Sequence, residues 1–260
     1  MDRTSHTLPQ RVTAVLHARQ YIVFFAIGLY TLDFAVALGS AWLYRHEPLA
    51  ELLRRGGPLA DAVAARSALI AAVFIVYLLA STWLRAGYIR SLVGPLCLRP
   101  ADRRQFLRLL ALQLALEIVG ALVAGAIVIA GDDPLPVNAA ILVLLAFNFV
   151  VLYADYIIVI GDVGPLRAVA LSWRTVRATL IPSALVLLTA SLVGIYAMSL
   201  LDESVTGSFA RALPMMLVQC LIMGSVLFVA DVVLVVVYLN AVGTDKLKPK
   251  RRSVDDGEML

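Results

Sequence analysis

The sequence is poor in the residues on which catalysis and metal binding most often depend. It has three histidines, His6, His17 and His46, and two cysteines, Cys97 and Cys220. The histidines fall outside the apolar runs, which argues against intramembrane haem ligation by paired histidines and against an intramembrane zinc site. The cysteines lack metal-ligand spacing and lie in separate segments, so we expect no disulfide.

Catalytic motifs are also missing from the sequence. It contains no P-loop, no G-x-S-x-G elbow and no H-E-x-x-H pair. The Ser and Thr residues of the apolar runs have no histidine nearby to act as a base. The sequence therefore predicts no catalytic residues, no metal and no cofactor, and it favours a protein that is not an enzyme.

Charged residues are scarce as well. They make up 15% of the 260 residues, whereas hydrophobic residues make up 61%, and the mean hydropathy is +0.89. A soluble domain of this size needs more charge to cover its surface. The net charge of +4 is accompanied by no nucleic-acid motif, and inner loops of membrane proteins collect Lys and Arg. We therefore expect no nucleic-acid partner and a lipid bilayer instead.

Six long apolar runs are the main positive feature. About 20 helical residues cross a hydrocarbon core of roughly 30 Å. The runs predict an all-α, polytopic integral membrane bundle with six transmembrane helices, at 21–44, 67–84, 109–131, 137–161, 180–201 and 212–243. In this prediction residues 1–243 form one membrane domain, and residues 244–260 form a polar, disordered cytoplasmic tail.

The distribution of Lys and Arg predicts that both termini are cytoplasmic. Most of the 22 basic residues would then lie inside, and the outer loops would hold only Arg45, Arg54, Arg55, Arg66 and Arg211. Such a bias sets the orientation of membrane proteins. The first outer loop is the weak point of this prediction, because it carries four of the five.

Four acidic residues fall inside the predicted spans, namely Asp33, Glu117, Asp155 and Asp231. A charge at mid-membrane costs about 2.5–3.5 kcal/mol, so each side chain should face other helices or water. Residue counting places Asp33 near the centre of the bilayer and the other three nearer its inner side. The four acids are candidate polar or ion-coupling residues of a cavity that opens to the cytoplasm.

A structural role is the alternative for these acids. Polar side chains also hold membrane helices together, and small residues beside the acids suit close packing. The acids would then be neutralised by protonation or by Arg85, Arg90 or Arg108 near the inner surface. The sequence alone leaves both interpretations open.

The segment from Pro165 to Leu180 predicts an amphipathic helix at the inner interface. Pro165 suits a helix start, and Gly164 before it permits a sharp turn. One face carries an apolar stripe, formed by Val169, Trp173, Val176 and Leu180. Such a helix lies flat, with Trp173 buried toward acyl chains or span ends. The alternative is a helix that continues the fifth span in a straight line.

Basic residues of the same segment are candidates for binding a partner or lipid headgroups. They are Arg167, Arg174 and Arg177. Arg167 and Arg174 oppose the apolar stripe and would face outward.

Residues 156–172 resemble a segment of six-span YciC-type membrane proteins and of the membrane domain attached to some glycerophosphodiester phosphodiesterases. The matching positions are Asp162, Gly164, Ala168 and Ser172. Leu171 departs from the pattern, which often has a basic residue there. The resemblance implies a six-helix architecture in a bacterial or archaeal cytoplasmic membrane, and it implies no catalytic residues.

Two functions follow as hypotheses. The first is a non-catalytic membrane protein, an accessory or assembly subunit or a member of such an uncharacterised family, whose partners are other membrane subunits, a cytoplasmic protein or a second copy. The alternative is a transporter, either an ABC-type permease subunit or a small carrier that uses the intramembrane acids. The role of the acids discriminates between the two hypotheses.

Overall fold

The computed structural model describes residues 7–46, 58–97, 99–100, 102–130, 134–205 and 209–243, in which every regular element is a helix. In chain order these are α1 (Leu8–Ala18), a 3₁₀ turn (Gln20–Ile22), α2 (Val23–His46), α3 (Pro58–Val93), α4 (Arg103–Ala130), α5 (Pro134–Val151), α6 (Ala154–Gly161), α7 (Pro165–Ala178), α8 (Leu180–Val205) and α9 (Phe209–Gly243). The predicted cytoplasmic tail, 244–260, lies outside the described residues.

Four stretches of helix are long and apolar enough to cross a membrane, at Ala71–Val93, Arg103–Val123, Asn138–Gly161 and Met216–Val242. Two further helix pairs qualify only as bent spans. The first joins α1 to Gln20–Val36 with a bend of 69°, and the second joins α7 to Leu180–Val193 with a bend of 100°. The all-α prediction is therefore confirmed, with four to six candidate membrane-spanning helices.

The apolar stretch Ala71–Val93 differs from the second predicted span, 67–84. It runs Ala71–Val93 within one continuous helix, so Arg85 and Arg90 belong to the helix and not to an inner loop. A hydropathy window ends at the first Arg, because it treats each charge as exposed to lipid. Here Arg85 meets acidic side chains inside the bundle, which lowers the cost of extending the helix past it.

The apolar stretch Asn138–Gly161 is interrupted at Leu152 and Tyr153, between α5 and α6. The backbone N–H of Tyr153 donates to Ser172 Oγ of α7 at 3.0 Å instead of to a carbonyl of its own helix. A side chain that accepts this N–H allows the helix to break without leaving a buried donor unsatisfied. The tyrosine hydroxyl continues the link, because it lies 2.8 Å from Ser183 Oγ of α8.

The short helix α6 is the centre of the hydrophobic core. Its residues 154–159 are all buried, and Tyr156, Ile157 and Ile158 are at most 1% exposed. It contacts α3, α4 and α7, while the long helix α9 packs against α2 and α8. By contrast, large apolar side chains on the outer faces of α4, α5 and α8 are exposed, as expected for surfaces that face lipid.

Several helix ends meet at one end of the bundle, which we call the basic end and define by residues 90–108, 161–178 and 238–242. Gln105 Nε2 of α4 donates to the Val159 carbonyl of α6 at 2.9 Å. The Tyr153 and Tyr238 rings stack with centroids 6.4 Å apart. The first contact joins the start of α4 to the end of α6, and the second joins the end of α9 to the residue that precedes α6.

The N-terminal helix α1 was not among the sequence predictions. It lies against α9, where Arg11 Nη1 donates to Asn240 Oδ1 at 2.5 Å. The signal for it is local: Thr7 and Gln10 form a capping box around Pro9, a combination typical of helix starts.

Candidate functional site

A buried ion-pair cluster joins α3, α6 and α9. Arg85 Nε donates to Asp155 Oδ2 at 2.8 Å, and Arg85 Nη2 lies 2.6 Å from the same oxygen. Arg85 Nη2 also lies 3.8 Å from Asp231 Oδ1. Each carboxylate side chain is 11% exposed and that of Arg85 is 33% exposed. The guanidinium therefore bridges two acids from different helices.

Two tyrosines complete this cluster. The Tyr156 hydroxyl donates a short hydrogen bond to Asp231 Oδ1. The Tyr88 hydroxyl is fully buried near Asp231, yet it makes no hydrogen bond of normal geometry within the described residues. Tyr88 lies three residues after Arg85, which puts both side chains on one face of α3.

The start of α6 favours the charge of Asp155. This residue occupies the first turn of α6, and its Oδ1 accepts the Tyr156 N–H at 2.9 Å. Free N–H groups and the helix dipole favour an anion at a helix start. The break at Tyr153 therefore supplies a second stabilising partner to the acid that Arg85 holds.

The other two predicted acids lie apart from this cluster. Asp33 of α2 accepts a 2.9 Å hydrogen bond from the Tyr77 hydroxyl of α3, and it is exposed in the described structure. Glu117 of α4 is half-buried and close enough to interact electrostatically with Asp33 and Tyr77. The structure thus places Glu117 with Asp33, whereas residue counting along the chain grouped it with Asp155 and Asp231.

Arg90 and Arg108, named with Arg85 as candidate counter-ions, have other partners. Arg90 donates to the Arg99 carbonyl at 3.0 Å, and Arg108 Nη1 lies 2.5 Å from Asp162 Oδ1 and 2.8 Å from the Asp162 carbonyl oxygen. Asp162 has a φ of 49°, so this arginine holds the left-handed residue that ends α6. Gly164, with a φ of −69°, starts α7 in an ordinary extended conformation, so Asp162 and not Gly164 makes the turn.

The helix α7 matches its predicted start and its predicted separation from the fifth span. The 100° bend before Leu180 rules out a straight continuation. Its buried face agrees with the predicted stripe only in part: Val176 is buried and Val169 packs against the core, but Trp173 is 40% exposed and Leu180 54%. The other buried residues of α7 are Ala168, Ser172 and Thr175. Small polar residues fit here because Ser172 must reach the Tyr153 N–H.

The exposed half of α7 is divided into two sectors. Leu166 and Trp173 form an apolar stripe at seven-residue spacing, and Arg167 and Arg174 form a basic stripe about 100° around the helix. Arg177 lies between the two stripes, and its guanidinium stacks over the Trp173 ring at 5.2 Å from the centroid. All three predicted arginines are exposed.

Sequence reasoning missed the tyrosines and the interhelical serines of this region. Tyr77, Tyr88, Tyr153 and Tyr156 are ordinary residues in apolar runs, where they are indistinguishable from core or interface aromatics. One usable signal exists for Tyr88, namely its i, i+3 spacing from Arg85. The partners of Ser172 and Ser183 depend on the helix break at Leu152 and Tyr153, which a hydropathy profile does not detect.

The described residues include no group of three or more His, Cys, Asp or Glu side chains that could hold a metal ion. Comparisons with protein-family models, with curated proteins and with solved structures found no match. The resemblance to YciC-type proteins therefore remains an expectation. Of its four positions, Asp162, Ala168 and Ser172 have structural roles in the turn and the packing of α7.

Proposed function

We propose that this chain is a non-catalytic multi-pass membrane protein that acts as an accessory or assembly subunit. The observation that carries the proposal is the division of its charges. Arg85 is committed to acids inside the bundle, whereas the cations of α7 face outward. The internal cluster fixes the helices, and the outward arginines are available to a partner.

The proposal includes six spans with cytoplasmic N- and C-termini, in the cytoplasmic membrane of a bacterium or archaeon. The two bent helix pairs supply the fifth and sixth spans if their apolar halves, Gln20–Val36 and Leu180–Val193, each cross the bilayer. The arginines that gather at the basic end favour its placement in the cytoplasm. The bends then let α1 and α7 lie along the cytoplasmic surface.

Recognition of the partner is assigned to the three exposed arginines of α7. Arg167, Arg174 and Arg177 are exposed and none pairs with an acid in the part of the chain that the structure describes. An acidic segment of another subunit would complement this surface, and each desolvated Arg–carboxylate pair would strengthen the contact.

Affinity purification of the full chain in mild detergent tests this role. We expect a protein that co-purifies in fixed ratio and is lost from the variant Arg167→Gln/Arg174→Gln/Arg177→Gln. Arg99→Gln is the matched control, because Arg99 is an exposed arginine of the basic end outside α7. A strictly monomeric protein without a partner, or equal loss in both variants, would count against the proposal.

A small carrier is the second candidate, and one observation favours it. Asp33 is an exposed carboxylate in a candidate span; it accepts a hydrogen bond from Tyr77 and interacts electrostatically with Glu117. In a proton- or cation-coupled carrier this group would bind the ion. Reconstituted wild-type protein would then show ion uptake that Asp33→Asn abolishes without changing thermal stability. An Asp33→Asn effect on stability alone would remove this candidate.

A further inference from the structure

A groove at the basic end lies outside the cluster and outside the exposed face of α7. It has a volume of about 460 Å³ and is lined by Arg103, Arg104, Leu107, Arg108, Ala111 and Pro165. Five of these residues come from the first turns of α4, and Pro165 is the first residue of α7. The groove therefore lies where α7 crosses the start of a membrane-spanning stretch.

The cations of this groove are not equivalent. Arg108 is held by Asp162. Arg103 and Arg104 are exposed, and neither side chain makes a hydrogen bond or an ion pair within the described ranges. The adjacent Asp102 carboxylate caps α4, because it accepts the Gln105 N–H at 2.6 Å, and within the described ranges it forms no ion pair with either arginine. Two positive charges thus remain without a partner at the start of α4, where the helix dipole adds further positive potential.

An exposed apolar stripe leads away from these arginines along α4. It consists of Leu107, Ala111, Leu114, Ile118 and Leu122, at i, i+4, i+7, i+11 and i+15. Leu107 is 48% exposed and Leu122 is 69% exposed. The stripe follows the candidate span Arg103–Val123, so it points from the membrane surface toward the membrane interior.

We infer that this groove binds one anionic phospholipid. Arg103 and Arg104 contact the headgroup phosphate, and one acyl chain lies along the stripe from Leu107 to Leu122. Guanidinium groups bind phosphate oxygens through paired N–H donors, and basic pockets beside membrane helices are typical sites for anionic headgroups. A free phosphate would use the arginines alone, whereas the apolar wall requires a ligand that carries both a charge and a hydrocarbon chain.

The test uses the full chain, purified in a neutral detergent, and follows its thermal unfolding through the fluorescence of its three tryptophans. Dioctanoylphosphatidylglycerol, dioctanoylphosphatidylcholine and inorganic phosphate are titrated separately. We expect a saturable rise in Tm with phosphatidylglycerol only. An equal rise with phosphatidylcholine or with inorganic phosphate would overturn the proposal.

Two double variants localise the site. A basic residue at an anionic surface contributes roughly fivefold in affinity, so R103Q/R104Q should raise the half-maximal phosphatidylglycerol concentration by about 25-fold. R11Q/R99Q removes the same charge from two exposed arginines outside the groove and outside α7, and it should change that concentration by less than about twofold. Equal effects of the two double variants would show general attraction between charges and would contradict a groove site.

Leu107→Gln provides an independent check, should R103Q/R104Q fail to fold. This change leaves both arginines in place and makes the wall of the groove polar. We expect several-fold weaker phosphatidylglycerol binding with an unchanged Tm in the absence of lipid. Unchanged phosphatidylglycerol binding by Leu107→Gln would exclude the acyl chain from this stripe.

Discussion

The environment of each charged residue explains which of them the apolar helical bundle tolerates. Asp155 meets Arg85, the start of α6 and the Tyr156 N–H. The ion pair and the helix start, whose Tyr156 N–H donates to the carboxylate, together offset the cost of removing it from water, which a single ion pair seldom does. Asp231 has Tyr156 as a donor and shares Arg85 at a longer distance. The same residues were recognisable in the sequence as acids that need partners, but their pairing depends on which helices meet.

Removal of Arg85 should therefore destabilise the protein strongly. Arg85→Leu leaves a buried carboxylate without its counter-ion, a change that costs about 3 kcal/mol when the site is mostly dry. Arg85→Leu/Asp155→Leu removes the close pair and leaves Asp231, which lies farther from Arg85 and keeps its hydrogen bond from Tyr156, so it should recover part of that loss. The free energy of unfolding is measured by reversible denaturation in mixed micelles. Additive losses in the double variant would show that the two side chains do not form a coupled pair.

The close approach of α2 and α9 makes a second prediction at the level of one residue. A Cβ added at Gly224 would lie 2.5 Å from the Ile27 Cα, a backbone atom that cannot rotate away. Gly224→Ala should force the helices apart and cost about 1–3 kcal/mol.

Gly28→Ala on α2 is the matched control, since its Cβ would meet nothing within 4 Å. It should be neutral or stabilise the helix by up to ~1 kcal/mol, because alanine has the higher helix propensity. Both variants are compared by thermal unfolding in one detergent. Equal stability of Gly224→Ala and the wild type would mean that α2 and α9 cross less closely than the structure shows.

Among the elements, long apolar helices were the most predictable and broken ones the least. The predicted fourth span, 137–161, agrees within a residue with the apolar stretch Asn138–Gly161. The break at Leu152–Tyr153 inside it was invisible, because both residues are apolar or aromatic and neither is Gly or Pro. The start of α7 was predictable from Pro165, since proline favours the first turn of a helix. The buried face of α7 was predictable only in part, because the Tyr153 N–H that it serves belongs to another helix.

The break between α5 and α6 depends on one hydrogen bond, which Ser172→Ala would remove. The Tyr153 N–H would then be buried without an acceptor, at a cost of about 1–3 kcal/mol. Thermal unfolding should show a lower Tm for Ser172→Ala, whereas Ser225→Ala should change the stability by less than about 0.5 kcal/mol. Ser225 is the control because its hydroxyl donates only to the Leu221 carbonyl of its own helix. Equal stability of the two variants would mean that the break does not require Ser172.

At the scale of the whole molecule, the arrangement of helix ends supports one orientation. The basic end gathers Arg90, Arg103, Arg104 and Arg108 with the arginines of α7. A surface of this charge is retained on the cytoplasmic side of a membrane. The orientation remains a prediction, and it was made from the sequence alone because it requires only a count of charges along the chain. The way in which α1 and α7 bend across the ends of the bundle required the three-dimensional contacts.

The orientation itself is the last prediction, and it can be measured by labelling cysteines introduced at chosen positions. In a Cys97→Ser background, Leu96→Cys places a thiol at an exposed position of the basic end, while Cys220 is buried and should stay unlabelled. A membrane-impermeant maleimide should label Leu96→Cys only after cells are permeabilised, because cytoplasmic loops are shielded from it. Ala50→Cys, in the predicted first outer loop, should be labelled in intact cells. The four arginines that surround position 50 make this the loop at which positive charge opposes export most strongly. Labelling of Leu96→Cys in intact cells would therefore invert the proposed orientation, and labelling of neither variant there would place the first loop inside.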